Sequence, residues 1–464
     1  MDPVTIIGAG LAGSEAAWQL AVRGVPVRLV EMRPAQRGPA HHTDMFAELV
    51  CSNSFKSTDA YSATGLLKEE LDALGSLLLD IARRSAVPAG DALAVDRALF
   101  SSTVTQTVSA HPLIDVVIEE ATTLPDGDVI VAAGPLASEP LTRALTQLTG
   151  SQHLAFFDAA APIVDADTID HDVVFPASRW EKGQGADYLN CPMDRERYES
   201  FIAELVGAER VTLRDFERRD LFQACQPAEE VARTGLDALR YGALKPVGLT
   251  DPRTGERPWA VVQLRAENRE RTAYNLVGFQ TNLTFGAQDR VFRMIPGLED
   301  ATFLRYGVMH RNTFIDAPRL LAPDLSLRDH PRIRIAGQLS GTEGYLEAIA
   351  TGLLAALGVH AAREGLAPLQ LPPTTALGSL VAYATDPGTT GYQPMHVNFG
   401  LVPPLAERVR GKRARYEAYS QRARADMATY LCTRSDLFTA GARSRLRPPA
   451  TPPAGEKRYG RSTG

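Results

Sequence analysis

Residues 4–31, VTIIGAGLAGSEAAWQLAVRGVPVRLVE, constrain the fold more strongly than any other part of the chain. A short β-branched run, a glycine turn, a helical segment closed by Gly24 and a second apolar run predict a strand, a helix and a strand. Gly8, Gly10 and Gly13 form the pattern G-x-G-x-x-G at the start of the helix. This combination predicts a Rossmann-like α/β fold that binds a dinucleotide.

The glycines of this turn have separate physical tasks. Gly8 permits a tight turn, Gly10 lets the backbone approach a pyrophosphate, and Gly13 lets the helix and strand pack closely. The first turn of the helix adds N–H groups and the positive end of the helix dipole. Glu31 ends the second strand, where a carboxylate binds ribose hydroxyls. The predicted cofactor-binding residues of this segment are Gly8, Ala9, Gly10, Leu11, Ala12, Gly13 and Glu31.

Two later segments favour FAD over NAD as the dinucleotide. AGQLSGTEG, residues 336–344, is a second glycine turn between a predicted strand and a predicted helix. FAD-binding two-part folds place the N–H groups of such a turn, here around Gly337 and Gln338, near the flavin ring. DVIVAAGPL, residues 128–136, resembles the strand-and-glycine return of the same flavoproteins. A nicotinamide enzyme would not need the turn at 336–344.

The rest of the chain predicts a FAD-binding domain that is interrupted by an inserted α+β domain. Residues 62–83 predict a leucine-rich amphipathic helix, and residues 115–119 and 128–132 predict strands of the same sheet. Alternating strands and helices favour a parallel sheet covered on both faces. The predicted boundaries are 1–184 for the first part of the FAD-binding domain, 185–329 for the inserted substrate domain, 330–440 for the second part with a basic C-terminal helix, and 441–464 for a disordered basic tail.

Charge is distributed unevenly along the chain. The whole chain has a net charge of −6, but residues 404–464 contain 14 Lys and Arg against 5 Asp and Glu. A basic end on an acidic body suggests contact with a polyanion. A solvated helix and tail would give the same pattern, so charge alone leaves both interpretations open.

Four cysteines in 464 residues, with no CxxC spacing, argue against a disulfide framework and a zinc site. We therefore expect a reducing, cytoplasmic location. The start of the chain has no basic segment before its apolar run, so we expect no signal peptide. Apolar runs are too short to span a bilayer, and we expect no membrane partner.

Three cysteines and a histidine are candidates for chemistry. Cys51 lies in AELVCSNSFKS, and Cys191 and Cys225 are each predicted to lie just before a helix. A thiol near a helix N-terminus is a better nucleophile, although cysteines are more often buried hydrophobic residues. The residues alone do not rank Cys51 above Cys225. His310, in YGVMHRNTF, could line a pocket for an aromatic ligand or be a structural histidine.

Ten segments, in chain order, carry a resemblance to one protein family. They are GAGLAGSEAAWQLA, LVCSNSFKS, FFDAAAPIV, YLNCPM, ALKPVGL, VVQLR, YNLVGFQT, RVFRMIPGLE, RYGVMHRNTF and AGQLSGTEGY. Together they resemble the folate- and FAD-dependent tRNA (uracil-5-)-methyltransferases, the TrmFO family, from about residue 4 to about residue 430. The resemblance does not extend to the tail.

The resemblance implies a reaction. The carbon donor would be 5,10-methylenetetrahydrofolate, and reduced FAD would supply electrons, with NADH or NADPH as the reductant. Folate supplies carbon at the formaldehyde level, so a reduction is needed to make a methyl group. The product would be ribothymidine at the T-loop uridine of tRNA. The implied partners are therefore the T-arm of tRNA and folate, and we favour a monomer.

The resemblance also implies roles for single residues. Cys225 matches the covalent nucleophile that adds to carbon 6 of uracil, so that carbon 5 can attack the one-carbon unit. Cys51 matches a second cysteine beside the flavin, and His310 matches a residue that stacks the folate pterin. Tyr345 is a further candidate on the flavin side. Cys191 matches a cysteine that we interpret as structural.

Binding of tRNA would require base flipping and positive charge. The target uridine lies inside a folded tRNA elbow, so it should be flipped out to reach the flavin. Basic residues would contact the phosphates. A predicted helix at 404–428 is the leading candidate, and Lys245 and Arg265 in the inserted domain are lesser ones. The cations of the helix are Arg408, Arg410, Lys412, Arg413 and Arg415.

Two alternatives stay open beside this interpretation. A wobble-uridine carboxymethylaminomethyl-forming enzyme of the GidA/MnmG type also uses FAD, folate and tRNA. That family has an additional C-terminal helical domain, for which we expect no room in this chain. A non-catalytic flavoprotein acting as a tRNA chaperone would not need Cys51, Cys225 and both glycine turns.

Overall fold

The computed structural model describes most of the chain, including both glycine turns. The described residues are 2–38, 40–150, 154–159, 161–183, 185–211, 226–307, 309–389 and 392–438, with the backbone only at 154–159 and 309–312. Cys225 and the predicted tail at 441–464 lie outside these residues.

The strands of the described chain are short and fall into four sheets. In chain order they are β1 (Val4–Ile7), β2 (Val27–Glu31), β3 (Ser54–Ser57), β4 (Ala86–Val87), β5 (Ala92–Val95), β6 (Ile114–Ile118), β7 (Val129–Val131), β8 (Leu154–Ala159), β9 (Ile163–Asp165), β10 (Phe175–Ala177), β11 (Tyr188–Met193), β12 (Ala260–Ala266), β13 (Ala273–Leu276), β14 (Phe303–Arg305), β15 (Met309–Phe314) and β16 (Ile333–Ile335).

The α-helices of the described chain range from a single turn to 22 residues. In chain order they are α1 (Leu11–Ala21), α2 (Ala63–Leu74), α3 (Leu77–Arg84), α4 (Arg97–Ser109), α5 (Glu139–Thr149), α6 (Arg195–Gly207), α7 (Ala228–Arg233), α8 (Ala238–Tyr241), α9 (Phe285–Phe292), α10 (Ala317–Leu320), α11 (Tyr345–Arg363), α12 (Ala376–Thr385) and α13 (Lys412–Thr433).

A parallel sheet organises the nucleotide-binding part of the molecule. Its strands lie in the order β16, β7, β1, β2 and β6, and Ile6 of β1 is in register with Leu29 on one side and Ile130 on the other. The chain passes from β1 to β2 on one side and returns to β7 on the other. A ligand crevice therefore forms at the carboxyl end of β1, where the strand order reverses. The predicted α/β fold with a parallel sheet is confirmed.

Helices α1 and α11 pack closely against each other through small residues. A Cβ atom on Gly352 of α11 would lie 2.2 Å from the carbonyl oxygen of Ala12 in α1. Among the described helices, α11 is long and apolar enough to cross a membrane by length and composition, and 78% of its apolar window is buried inside the protein. Such a helix, enclosed by other elements of the same chain, is typical of a protein core.

A second hydrophobic core lies against an antiparallel sheet in the order β10, β11, β12, β13, β9 and β14. All seven residues of β12 are buried, and Tyr198, Phe201 and Phe292 fill the space between this sheet and its helices. This unit is the predicted inserted α+β part. Its core begins at Ala161, and β9 and β10 come before residue 185. The antiparallel sheet thus begins before residue 185, where the sequence places the start of the inserted domain. The domain boundary itself stays a prediction.

Two small antiparallel sheets connect these larger units. β3, β5 and β4 form one, directly after the Cys51 segment. β15 pairs with β8, which sets His310 opposite Asp158. The chain then returns to the second glycine turn, since the Ile315 N–H donates to the Leu339 carbonyl oxygen at 3.0 Å.

The predicted helix at 62–83 is two helices, α2 and α3. Gly75 adopts a left-handed conformation, with φ of +82°, and ends α2. Ser76 then caps α3, because its hydroxyl oxygen accepts a hydrogen bond from the Leu79 N–H. The leucine pattern continues across this break, so hydrophobic periodicity alone did not reveal it.

The basic helix predicted at 404–428 also has different bounds. α13 begins at Lys412 and ends at Thr433. Gly411 has a φ of +87° directly before the first helical residue, and this left-handed conformation cannot belong to a right-handed helix. Arg408 and Arg410 therefore precede the helix.

We expect Gly352→Ala to destabilise the fold, because the added methyl group meets the backbone of α1. Overpacking of a core costs about 1–3 kcal/mol, which exceeds the gain of about 1 kcal/mol that alanine brings to a helix. Urea unfolding measures the loss. The matched control is Gly286→Ala in α9, where an added Cβ meets no atom within 4 Å. Equal stability of the two variants would contradict the close helix contact.

Candidate active site

The first glycine turn has the geometry of a phosphate-binding loop. Gly8 has a φ of +98°, and a Cβ atom there would lie 2.7 Å from the Ala132 carbonyl oxygen. A Cβ on Gly13 would lie 1.8 Å from the Gly8 carbonyl oxygen, whereas a Cβ on Gly10 would meet nothing within 4 Å. The turn therefore packs tightly against the protein at Gly8 and Gly13, whereas the space beside Gly10 is open to a ligand. No side chain caps the start of α1 in the described structure, so its first N–H groups are available to an anion.

Glu31 is buried at the end of β2 and belongs to this turn. Its Oε2 accepts a hydrogen bond from the Ala9 N–H at 2.8 Å, and its Oε1 accepts one from Arg33 Nε at 2.9 Å. Burial alone would raise the pKa of Glu31, but the hydrogen bonds and charge of Arg33 and the Ala9 N–H outweigh it and hold this pKa below its ordinary value.

The carboxylate of Glu31 is already heavily hydrogen-bonded. The Arg33 N–H also donates to Oε1 at 3.1 Å, and Arg33 Nη2 donates to Oε2 at 3.2 Å. Each oxygen therefore accepts two hydrogen bonds, which is about the capacity of a carboxylate. Ribose hydroxyls could bind this group only by replacing contacts with Arg33.

The second glycine turn lies directly against the first. Gly337 has a φ of +71°, and a Cβ there would lie 3.1 Å from the Ala12 Cβ. The Gly337 N–H donates to Thr351 Oγ1 at 2.9 Å, and Gln338 donates to Glu343. Gly344, with a φ of +119°, precedes α11 without a side-chain cap. Two helix N-termini therefore meet the same space.

That space is a cavity of about 760 Å³ at the carboxyl edge of the parallel sheet. Its size lies within the range of small-molecule and cofactor sites. Ala9 and Gly13 support its wall without lining it. The predicted site residues that line it are Gly8, Gly10, Leu11, Ala12, Glu31, Cys51, Gly337, Gln338 and Tyr345.

Backbone contacts from distant parts of the chain position Cys51 on the wall of the cavity. The Tyr345 hydroxyl oxygen accepts hydrogen bonds from the Cys51 N–H at 2.8 Å and the Ser52 N–H at 3.2 Å. Burial raises the pKa of Tyr345, so the hydroxyl stays protonated. The Cys51 carbonyl oxygen accepts from Arg97 Nη2 at 3.2 Å and from Arg305 Nη2 at 3.1 Å.

Three arginines, Arg97, Arg265 and Arg305, surround this segment, and sequence reasoning missed their grouping. Arg97 forms a salt bridge with Glu267, and Arg265 Nε donates to Asn53 Oδ1 at 2.8 Å. Burial lowers the pKa of Arg265 and of Arg305. Arg265 and Arg305 each lie in one of the family-like segments, but the three arginines are far apart in sequence, so no local signal could have shown that they form a cluster.

The predicted role of Arg265 as a phosphate contact is wrong, because its side chain is only 7% exposed. Lys245, the other lesser candidate, is exposed. Cys191 lies within β11 and not just before a helix, since Asp194 separates the strand from α6. Its thiol is fully buried in the second core, which raises its pKa strongly. This burial makes Cys191 unreactive.

The structure does not describe the side chains of two predicted site residues, His310 and Cys225. His310 is placed by its backbone in β15, opposite Asp158 of β8, and its side chain is not described. Cys225 lies outside the described residues, and the described chain resumes at residue 226. The Ala228 N–H donates to the Gln280 carbonyl oxygen at 2.7 Å, and Gln280 lines the cavity.

Exposed cations surround the start of α13, beside the cavity-lining Tyr416. Arg413 is paired with Asp59 and Glu417. The other four make no salt bridge within the part of the chain that the structure describes. They are Arg408, Arg410, Lys412 and Arg415.

Comparison with known proteins agrees with this architecture. Residues 3–367 match the model of the family described as glucose inhibited division protein A. The solved structure of Aquifex aeolicus GidA superposes with a TM-score of 0.68 at 17% sequence identity, covering 96% of this chain and 75% of that one. A second crystal form of the same protein gives a TM-score of 0.66. These likenesses define the fold class, a GidA-type α/β protein.

Curated relatives define the family more narrowly. A methylenetetrahydrofolate–tRNA-(uracil-5-)-methyltransferase TrmFO from Desulforudis audaxviator is 55% identical over 435 residues, which are 93% of this chain and 99% of the relative. The proteins of the same name from Thermosynechococcus vestitus and Geobacter sulfurreducens are 56% and 55% identical, each over 93% of this chain and over 94% and 99% of their own lengths. The chain therefore belongs to the GidA family and, within it, to the TrmFO family.

We expect Tyr345→Phe to loosen the Cys51 segment, because two backbone N–H groups lose their acceptor. An unsatisfied buried donor costs about 1–3 kcal/mol. Hydrogen exchange at Cys51 and Ser52 should therefore become faster. Tyr274→Phe is the control, because its hydroxyl makes no hydrogen bond within the described chain. Unchanged exchange at Cys51 and Ser52 in Tyr345→Phe would contradict this role of the hydroxyl.

Proposed function

We propose that the protein is a folate- and FAD-dependent tRNA (uracil-5-)-methyltransferase that makes ribothymidine at the T-loop uridine of tRNA. The observation that carries this proposal is the identity of 55% over 93% of the chain to a relative named methylenetetrahydrofolate–tRNA-(uracil-5-)-methyltransferase. The carbon donor is then 5,10-methylenetetrahydrofolate. Transfer RNA is the proposed macromolecular substrate, the proposed location is cytoplasmic, and the proposed oligomeric state is a monomer.

The residues around the cavity fit FAD. The turn from Gly8 to Gly13 and the uncapped start of α1 would hold its pyrophosphate. Glu31 would hold the ribose after the ribose hydroxyls replace some of its contacts with Arg33. Gly337 and Gln338 would lie beside the flavin ring, at the uncapped start of α11. When bound and reduced, FAD supplies the electrons that bring a carbon at the formaldehyde level to a methyl group. NADH or NADPH is the proposed source of those electrons.

Cys225 is the proposed nucleophile toward uracil. Carbon 5 of uracil is a poor nucleophile, and addition of a thiolate to carbon 6 gives an enolate that can attack through carbon 5. The proton on carbon 5 must then leave before the thiol is released. Three residues after Cys225, the Ala228 N–H donates to the carbonyl oxygen of Gln280, which lines the cavity.

Cys51, His310 and Tyr345 are the proposed residues on the cofactor side. Cys51 lines the cavity, with its backbone fixed by the Tyr345 hydroxyl and by the guanidinium of Arg305. The proposed role of its thiol is on the cofactor side of the cavity, beside the flavin. His310 belongs to β15, the strand that follows β14 in the chain, and would stack the folate pterin.

The cations at the start of α13 are the proposed contacts for tRNA phosphates. Arg408, Arg410, Lys412 and Arg415 are exposed and make no salt bridge with described residues. Tyr416, the next residue of the helix, lines the cavity, so the positive charge lies at its rim. The T-arm of tRNA could then approach with its uridine directed into the cavity.

We expect the reduced protein to transfer label from methylenetetrahydrofolate to the T-loop uridine of an unmodified tRNA transcript. Cys225→Ala should transfer none, because the uracil is not activated. Mapping of the labelled nucleoside is the measurement. Label at the wobble base would favour the carboxymethylaminomethyl-forming alternative, and absence of label would favour the chaperone.

Formation of a covalent adduct with RNA that carries 5-fluorouridine distinguishes the proposed roles of Cys225 and Cys51. Cys225→Ala should lose the covalent protein–RNA adduct, whereas Cys51→Ala should keep it and change the flavin absorbance. A lost adduct in Cys51→Ala with an unchanged flavin spectrum would reverse the two roles.

We also expect a variant in which four of the exposed cations at the start of α13 are replaced by Gln to bind tRNA less tightly. Each contact between a cation and a phosphate releases counterions, and this release favours binding. The slope of log K against log salt should fall by about 0.7–0.9 for every phosphate that the variant no longer neutralises. The substituted residues are Arg408, Arg410, Lys412 and Arg415. A control Gln variant removes the same charge from exposed positions elsewhere, and an equally large drop in affinity in this control would contradict the proposal. The control positions are Arg84, Arg143, Arg195 and Arg197.

A further inference from the structure

Phe285 is an exposed aromatic ring at the end of an ordered stack. Its side chain is 56% exposed at the first position of α9. Below it lies the ring of Tyr306, with a centroid distance of 5.1 Å and an interplanar angle of 18°. Phe303 lies below Tyr306 at 5.3 Å and 21°. Three nearly parallel rings therefore lie together, and Phe285 is the exposed member of the stack.

The stack is supported from the core. Phe303 contacts Phe292 at 6.3 Å, and Phe292 is fully buried in the second core. The Tyr306 hydroxyl donates to Asp289 Oδ1 at 3.3 Å. Gln288 and Gly307 exchange hydrogen bonds of 2.7 and 2.8 Å, which tie the Tyr306 segment to α9. The exposed ring is thus fixed before any ligand arrives, so that little conformational entropy is lost on binding.

The other exposed aromatic residues of the described chain are arranged differently. The ring of Trp180 lies against Gly248, where an added Cβ would be 2.8 Å away. Tyr241, which is 75% exposed, packs under the guanidinium of Arg240. Within the described residues, Phe285 alone combines high exposure with a face-to-face stack. This arrangement suits a flat, unsaturated ligand.

The stack adjoins the candidate active site. Arg305, the residue before Tyr306, donates to the Cys51 carbonyl oxygen at 3.1 Å. Gln280 lines the cavity five residues before Phe285. The two chain segments that carry the stack therefore also carry residues that contact the cavity wall or the Cys51 segment.

We propose that Phe285 is a stacking platform for a nucleobase of the substrate tRNA. This inference rests on the proposed function and deepens it. A uridine that leaves a folded loop to enter a cavity removes a stacking partner from its neighbour. Single-stranded and looped RNA is commonly bound by stacking bases on aromatic side chains, which accept every base because each has a π-face. The Phe285 ring replaces the lost partner.

Equilibrium binding of an unmodified tRNA transcript by the full-length protein tests this inference. We expect Phe285→Ala to raise the Kd about 5-fold to 150-fold, as for loss of a stacked base. Phe285→Tyr should bind as the wild type does, and Phe285→Leu should be as weak as Phe285→Ala, since only a ring can stack. The salt dependence of binding should not change, because no phosphate contact is removed. Tyr241→Ala, which removes an exposed ring elsewhere, should have the wild-type Kd.

Several outcomes would overturn the inference. A Kd within twofold of the wild type for Phe285→Ala excludes a stacking role, and so does full binding by Phe285→Leu. Sedimentation that shows a dimer lost in Phe285→Ala would assign the ring to contact with a second copy. If thermal unfolding shows that Phe285→Ala is poorly folded, the Kd values of Phe285→Tyr and Phe285→Leu are compared instead. Equal Kd values for these two variants would exclude stacking. Label transfer by the wild type tests the proposed function separately, and a wild type that binds no tRNA overturns both.

Discussion

The close contact between the two glycine turns is the constraint on which the rest of the structure depends. Gly13 brings α1 onto the turn after β1, and Gly352 brings α11 onto α1, each at a distance that no side chain larger than hydrogen allows. Residues from the two ends of the nucleotide-binding part therefore meet at one cavity. The starts of both helices lie at the wall of that cavity and lack side-chain caps, so their N–H groups are available to an anionic ligand.

The Cys51 segment depends on the same contact. Tyr345 is the first residue of α11, and its hydroxyl holds the amides of Cys51 and Ser52. On the other side, Arg97 and Arg305 bind the carbonyl oxygen of Cys51. The thiol is thus positioned jointly by α11, by α4 and by the edge of the inserted sheet. Movement of the inserted part relative to the parallel sheet would change the position of Cys51, because Arg305 belongs to β14.

Prediction from sequence succeeded where the signal was local. The glycine turn with its flanking strands indicated the α/β fold, and residues of both turns line one cavity. Prediction from sequence failed where a single property, charge or hydrophobic periodicity, was used to set the ends of a helix. Charge suggested a helix from residue 404, but Gly411 sets the start of α13. Leucine periodicity suggested one helix where Gly75 separates two. The site roles of Cys225 and His310 stay predictions.

The sequence by itself determined the fold class and the family, because both depend on short contiguous segments. The glycines and apolar residues of these segments set the conformation of residues close to them in the chain. Only the tertiary structure decided what surrounds Cys51, where Arg265 lies and which ring Phe285 stacks on. The hydrogen bond between Cys51 and Tyr345 joins residues 294 positions apart, and that between Cys51 and Arg305 joins residues 254 positions apart. Such contacts follow from the packing of whole elements, and no local pattern encodes them.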